Sequence, residues 1–147
     1  MNITPQEYKK LYKKASPPSP KLRDFFFAFL VGGFICMLGQ LFLELFLYLE
    51  IDEESAKVLV PVTLIFIAAL LTALHIFDNI ARKAGAGTLV PITGFANAVV
   101  SPAIEFKKEG FVTGMGAKMF TVAGPVIVYG TVASVVYGIV YYITTLF

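Results

Sequence analysis

Residues 84–99 read AGAGTLVPITGFANAV: glycines at 85, 87 and 94, a proline at 91, and hydrogen-bonding side chains at Thr88, Thr93 and Asn97, all set among apolar residues. Pro91 suits the first turn of a half-helix and leaves the amides of Ile92 and Thr93 free at its positive end. The chemistry such a stretch supports is non-covalent. Free N–H groups, hydroxyls and a carboxamide can meet an anion weakly without placing a fixed charge in an apolar setting. Gln40 and Glu44, one helical turn apart in an earlier apolar run, are the other polar pair that a path through this region would use, opposite the stretch or supporting it.

Covalent chemistry leaves no comparable trace. The chain has one histidine, His75, and one cysteine, Cys36, with no CxxC, HExxH, Walker-type loop or GxSxG. AGAGTLVPITG lacks the Lys-Ser/Thr ending of a phosphate loop. No enzyme, cofactor or metal site is expected. A nucleic-acid partner is not expected either, because the basic residues flank apolar runs and anionic lipid is their simpler electrostatic partner.

The elements that must position these residues follow from composition. Of 147 residues 57% are hydrophobic and 15% charged, and the mean hydropathy is +0.77, far from the roughly half-apolar, quarter-charged average of soluble domains. Charges cluster in 1–24, 50–57, 78–83 and 105–118. The runs 25–49, 58–77 and 119–147 each reach the ~20 residues a bilayer crossing needs. The mostly polar residues 1–24 ahead of the first run argue against a cleaved signal peptide.

Thr4-Pro5-Gln6-Glu7 is a capping box. The helix it opens places Tyr8, Leu11, Tyr12 and Ala15 on one face, with Lys9, Lys10, Lys13 and Lys14 on the other, as in a helix lying among lipid headgroups. Residues 16–20, SPPSP, then form a short extended spacer. In the first span Gly33, Cys36, Met37, Gln40 and Glu44 share an arc, with Gly32 and Gly39 on the adjoining strip, so that side is small and polar and suits close helix packing. Glu44 either faces protein or water, or snorkels from the end of the span. The second span runs on as helix through Ala81 to Gly85, with Arg82 and Lys83 in its last turn. Ser101-Pro102 interrupts the chain again. Gly124-Pro125 kinks the last span, where Gly124 and Gly130 are further close-packing positions.

Lys and Arg number six in 1–24, one in 50–57, two in 78–87 and three in 105–118. The positive-inside rule then puts the N-terminus inside and the acidic loop outside, with 78–87 and 105–118 both inside. Residues 88–106 must enter and leave on one side, a re-entrant segment, although so apolar a run could also cross once. Non-helical backbone at that depth is tolerated where protein buries it or water adjoins it; alternatively, the glycines only permit tight packing. The expected fold is an all-α integral membrane protein: a segment 1–24 with an interfacial helix, and a domain 25–147 of three transmembrane helices plus a re-entrant broken helix.

FAFLVGGFICMLGQ (27–40) and AGAGTLVPITGFANAVVSPAIEFKKEG (84–110), with Asp78 just before, resemble the SpoVAC/SpoVAE family of small membrane proteins of endospore-forming bacteria. The lysine- and tyrosine-bearing extension resembles the longer branch of that family; the shorter branch begins close to the first span. His75 departs from the family pattern, where a small residue is usual. The resemblance implies a subunit of the spore inner-membrane SpoVA complex. That complex moves dipicolinic acid, with calcium, into the core during sporulation and out at germination, and family members are associated with a stretch-sensitive channel activity. It also implies a hetero-oligomer with a sibling SpoVAE-b-like membrane subunit and the soluble, thiolase-like SpoVAD. Dipicolinate is a planar dianion, so Gly85, Gly87, Thr88, Pro91, Thr93, Gly94 and Asn97 become the expected substrate pathway, with Gln40 and Glu44. A non-conducting scaffold subunit is the competing expectation, and an ion-coupled transporter relying on Glu44 or Glu105 is a third.

Overall fold

The computed structural model describes residues 4–15 and 21–146, which are helical almost throughout and contain no strand. The spacer expected at 16–20 lies outside the described residues. Helix α1 spans Pro5–Ala15. It opens on the capping box: the Glu7 carboxylate accepts from the Thr4 amide at 3.0 Å and from its hydroxyl at 2.8 Å. Those two bonds, the amide first, hold the Glu7 carboxyl below its usual value.

Three helices are long and apolar enough to cross a membrane. Helix α2 is Lys21–Tyr48 and α3 is Glu53–Ala73. The third, α7, is Ala117–Leu146, preceded by π-helical turns at Phe111–Gly116. Asp52 caps α3 by accepting from the Ser55 amide at 2.9 Å, which keeps its carboxyl below the ordinary range. Between α3 and α7 lie three shorter helices, α4 (Phe77–Ala84), α5 (Ala86–Leu89) and α6 (Ile92–Glu105), and a 3-10 turn at Lys107–Glu109.

Two helix ends share one closing pattern, and the second was not expected where it falls. Helix α2 closes with the Ile51 amide on the Phe46 carbonyl and the Glu50 amide on that of Leu47, at 3.1 and 3.0 Å. Helix α3 repeats the pattern, with Ile76 on Leu71 at 2.9 Å and His75 on Thr72 at 3.0 Å. These paired bonds need a left-handed residue, normally glycine. Here Glu50 (φ 62°) and His75 (φ 57°) supply it. The second span therefore does not run on as one helix to Gly85: it stops at Ala73, turns at His75 and restarts as α4. Ser101-Pro102, conversely, does not interrupt the chain, since Pro102 is inside α6.

Packing is tightest where side chains are smallest. Gly39 of α2 faces Val60 and Leu64 of α3. Ala68 of α3, Phe77 of α4 and Ala96 of α6 form the buried cluster, flanked by Leu71 and Ala81. Helix α5 crosses α2 at Ala28 and Gly32, and α6 lies along the second half of α3. Arg82 and Lys83 share a cavity with Arg23 and Asp24, at the start of α2. Glu105 shares another with His75 and Asp78, at the end of α3. Arg82 and Lys83 therefore lie beside the start of α2, and Glu105 lies beside the end of α3. Helix α7 buries Ala123, and from Pro125 onward its described residues are exposed.

The α5–α2 crossing depends on the absence of a side chain. A Cβ at Gly87 would sit 2.3 Å from the Ala28 carbonyl oxygen and 2.8 Å from its Cα. Backbone cannot yield as a side-chain tip can, so Gly87→Ala is expected to destabilise the fold by about 1–3 kcal/mol. Gly33→Ala, with nothing within 4 Å of the added carbon, should leave stability unchanged. Thermal unfolding of both variants in detergent, followed by size-exclusion chromatography, checks the contrast.

Candidate functional site

The helical ladder breaks between α5 and α6. Gly85 has φ 51°, a backbone open to glycine, and ends α4. Pro91 has no amide to give the Gly87 carbonyl, and its extended backbone (ψ 165°) turns the chain into α6. The Ile92 and Thr93 amides at the head of α6 receive no side-chain cap from Pro91. Hydroxyls cover part of the break: Thr88 Oγ1 donates to the Gly85 carbonyl at 3.0 Å, and Thr93 Oγ1 to the Thr88 carbonyl at 3.4 Å. Both threonines are enclosed by protein, at 1% and 6% exposure. Gly94 admits no side chain, since a Cβ would lie 2.3 Å from the Leu89 carbonyl oxygen.

From the break, polar groups continue along the α3–α6 seam. Thr72, buried on α3, brings its hydroxyl within 2.7 Å of the Ala68 carbonyl and 3.0 Å of the Asn97 side-chain oxygen. One hydroxyl proton serves both acceptors. Past Asn97 the seam opens into a cavity of about 270 Å³ lined by Thr72, His75, Asp78, Ser101, Ile104 and Glu105. No cluster of three His, Cys, Asp or Glu able to hold a metal ion is present among the described residues. The arrangement is a graded file: enclosed hydroxyls at depth, a carboxamide midway, and carboxylates with an imidazole at the open end.

Of the expected pathway residues, Thr88 and Thr93 line one cavity and Thr88 bonds the Gly85 carbonyl, whereas Asn97 meets Thr72 on α3. Gly87 and Gly94 act as close-packing positions. Gln40 and Glu44 are elsewhere: Gln40 donates to Glu44 at 2.9 Å, and both are exposed on α2, outside the cavity that Thr88 and Thr93 line. Among the glycines singled out for packing, Gly32 meets Gly87 and Gly39 meets α3, while Gly33 and Gly130 have open space beside them and Gly124 only its own helix. Thr72 was missed. Its signal was the four-residue ridge Leu64, Ala68, Thr72, which α3 buries.

The Thr72–Asn97 bond yields a numerical test. Interhelical hydrogen bonds in membrane proteins couple by about 0.6 kcal/mol on average, so a Thr72→Val/Asn97→Ala double-mutant cycle on unfolding should return a coupling of that order, which Thr72→Ser preserves. Additive single effects would remove the bond from the seam's energetics.

A family model for SpoVAC/SpoVAEB sporulation membrane proteins matches residues 24–140. Stage V sporulation protein AC of Bacillus subtilis (strain 168) is 43% identical over 136 residues, covering 92% of this chain and 91% of that protein. No solved structure matches. The family match spans the broken segment, the polar seam and most of the three long apolar helices, and the chain belongs to the SpoVAC/SpoVAEB family of sporulation membrane proteins.

Proposed function

We propose that this chain is a membrane subunit that conducts dipicolinate, with calcium, across the spore inner membrane, and that residues 85–105 dip into the bilayer and return to the face they left. The interrupted backbone at Pro91, packed closely against α2 at Gly87 and leaving the first amides of α6 without a side-chain cap, carries this reading. Lipid cannot satisfy such groups, whereas a conduction path needs them in reach of a solute. The N-terminus then lies on the cytosolic side, which becomes the core, and α1 rests on that surface with Tyr8, Leu11 and Tyr12 in the headgroup region, where it would feel membrane tension.

Charge decides how the solute meets the seam. Asp78 and Glu105 at its open end repel a dianion but attract calcium. A calcium–dipicolinate pair carries no net charge and is tolerated there. Further in, the Asn97 carboxamide and the α6 amides offer weak contacts that permit release. The exposed Gln40–Glu44 pair and the uncovered second half of α7 leave surface for neighbouring subunits. A sibling membrane subunit and the thiolase-like SpoVAD are the proposed partners. The same uncovered surfaces fit a scaffold that conducts nothing.

Purified chain in vesicles loaded with calcium dipicolinate separates the two. Release faster than from protein-free vesicles is expected, and Asn97→Leu should slow it by roughly tenfold, since one lost hydrogen-bonding partner is worth about 1–1.5 kcal/mol. No release above background would leave the scaffold.

A further inference from the structure

We infer that the groove between α2, α3 and α4 is a binding site for one anionic phospholipid, with separate places for its headgroup and an acyl chain. The headgroup end is a cavity of about 240 Å³ lined by Arg23, Asp24, Phe27, Arg82 and Lys83. Three cations and one carboxylate leave an excess of two positive charges. Asp24 offsets Arg23 only loosely, at 3.9 Å, and among the described residues Arg82 and Lys83 form no ion pair. Basic pockets beside membrane helices at the cytoplasmic surface select anionic headgroups.

The chain end is a second cavity, of about 130 Å³, whose walls include Val31, Phe34 and Ile35 of α2, Leu64 and Ile67 of α3, and Ile80 of α4. Its two hydroxyls, Thr88 and Thr93, already donate to backbone carbonyls, so it offers no free donor. Engineered cavities of similar size and lining stay dry and take apolar guests. At this depth the apolar matter at hand is lipid tail.

The two cavities are continuous in register. On α2 the lining residues Arg23, Phe27, Val31, Phe34 and Leu38 recur at three- and four-residue intervals, which puts them on one face. On α4, Ile80 lines the apolar cavity and Lys83, one turn on, the basic one. From Arg23 to Phe34 the helix rises about 16 Å, close to the ~15 Å of one leaflet's hydrocarbon. A phosphate held by Arg23, Arg82 and Lys83 therefore delivers its acyl chain to the apolar cavity. This site stands whether or not the chain conducts dipicolinate.

The test uses full-length protein in vesicles of equal phosphatidylglycerol and phosphatidylcholine, extracted in mild detergent, with the retained lipid measured by mass spectrometry. Wild-type protein should retain phosphatidylglycerol over phosphatidylcholine by roughly fivefold or more. Arg82→Gln/Lys83→Gln should bring the ratio near one, Val31→Phe should lower the amount retained, and excess glycerol phosphate should not displace the lipid. Lys9→Gln/Lys10→Gln removes the same charge outside the cavity and should change nothing. Gel filtration checks folding, and Arg23→Gln, on an exposed residue of the same cavity, replaces the double variant if that fails it. Preference surviving loss of the cavity's cations, falling equally in the Lys9/Lys10 control, or yielding to glycerol phosphate overturns the site; retention unchanged in Val31→Phe overturns its chain-binding half.

Discussion

A polypeptide that leaves the helical ladder inside a membrane must hide its backbone polar groups, because hydrocarbon offers nothing to bond them. The packing around the proposed dip of this chain fits that constraint. Pro91 breaks the ladder, and the surroundings are built of residues small enough to bring covering groups close: Gly32 and Ala28 of α2 against Gly87, Leu89 against Gly94, Ala68 against Ala96. Hydroxyls of Thr88 and Thr93 reach back to carbonyls along the broken stretch. The same smallness that lets helices touch leaves no room for a side chain at Gly87 or Gly94. Structure and prospective function thus compete for the same few ångströms.

That constraint also explains what could be read from the sequence and what could not. Glycine at 85 and proline at 91 carry local rules, a positive φ and a missing amide, so the break was legible. Capping at Thr4–Glu7 was legible for the same reason, since its partners are three residues apart. The helix end at His75 was not, because the left-handed position is filled by a residue that gives no sign of it. Pro102 misled in the opposite sense, as a proline that α6 accommodates. Partnership across the chain was the least visible. Thr72 and Asn97 lie 25 positions apart, and no local periodicity links them. For Gln40 and Glu44 the i,i+4 pairing was plain, but not the direction in which the pair points.

Uncovered surface gives the fold its second theme. The exposed Gln40–Glu44 pair sits in a helix long and apolar enough to span a bilayer, and a carboxylate there is costly against lipid. The described residues of α7 from Pro125 onward are likewise exposed. Such a chain is better matched to an assembly than to life as a monomer, in keeping with its family of sporulation membrane proteins. Beside these outward faces, the basic and apolar cavities of the α2–α4 groove give lipid a defined place in the same design.

Whether the chain from Gly85 to Glu105 turns back to the face it left is the point on which the proposed path stands. Single cysteines at Lys83, Lys107 and Glu54, in a Cys36→Ser background, can be probed with an impermeant maleimide on right-side-out vesicles before and after permeabilisation. Protection of Lys83 and Lys107 alike, with Glu54 open to reagent from outside, is the expected result. Reaction of Lys83 and Lys107 from opposite faces would make 85–105 a true crossing and remove the path along the α3–α6 seam.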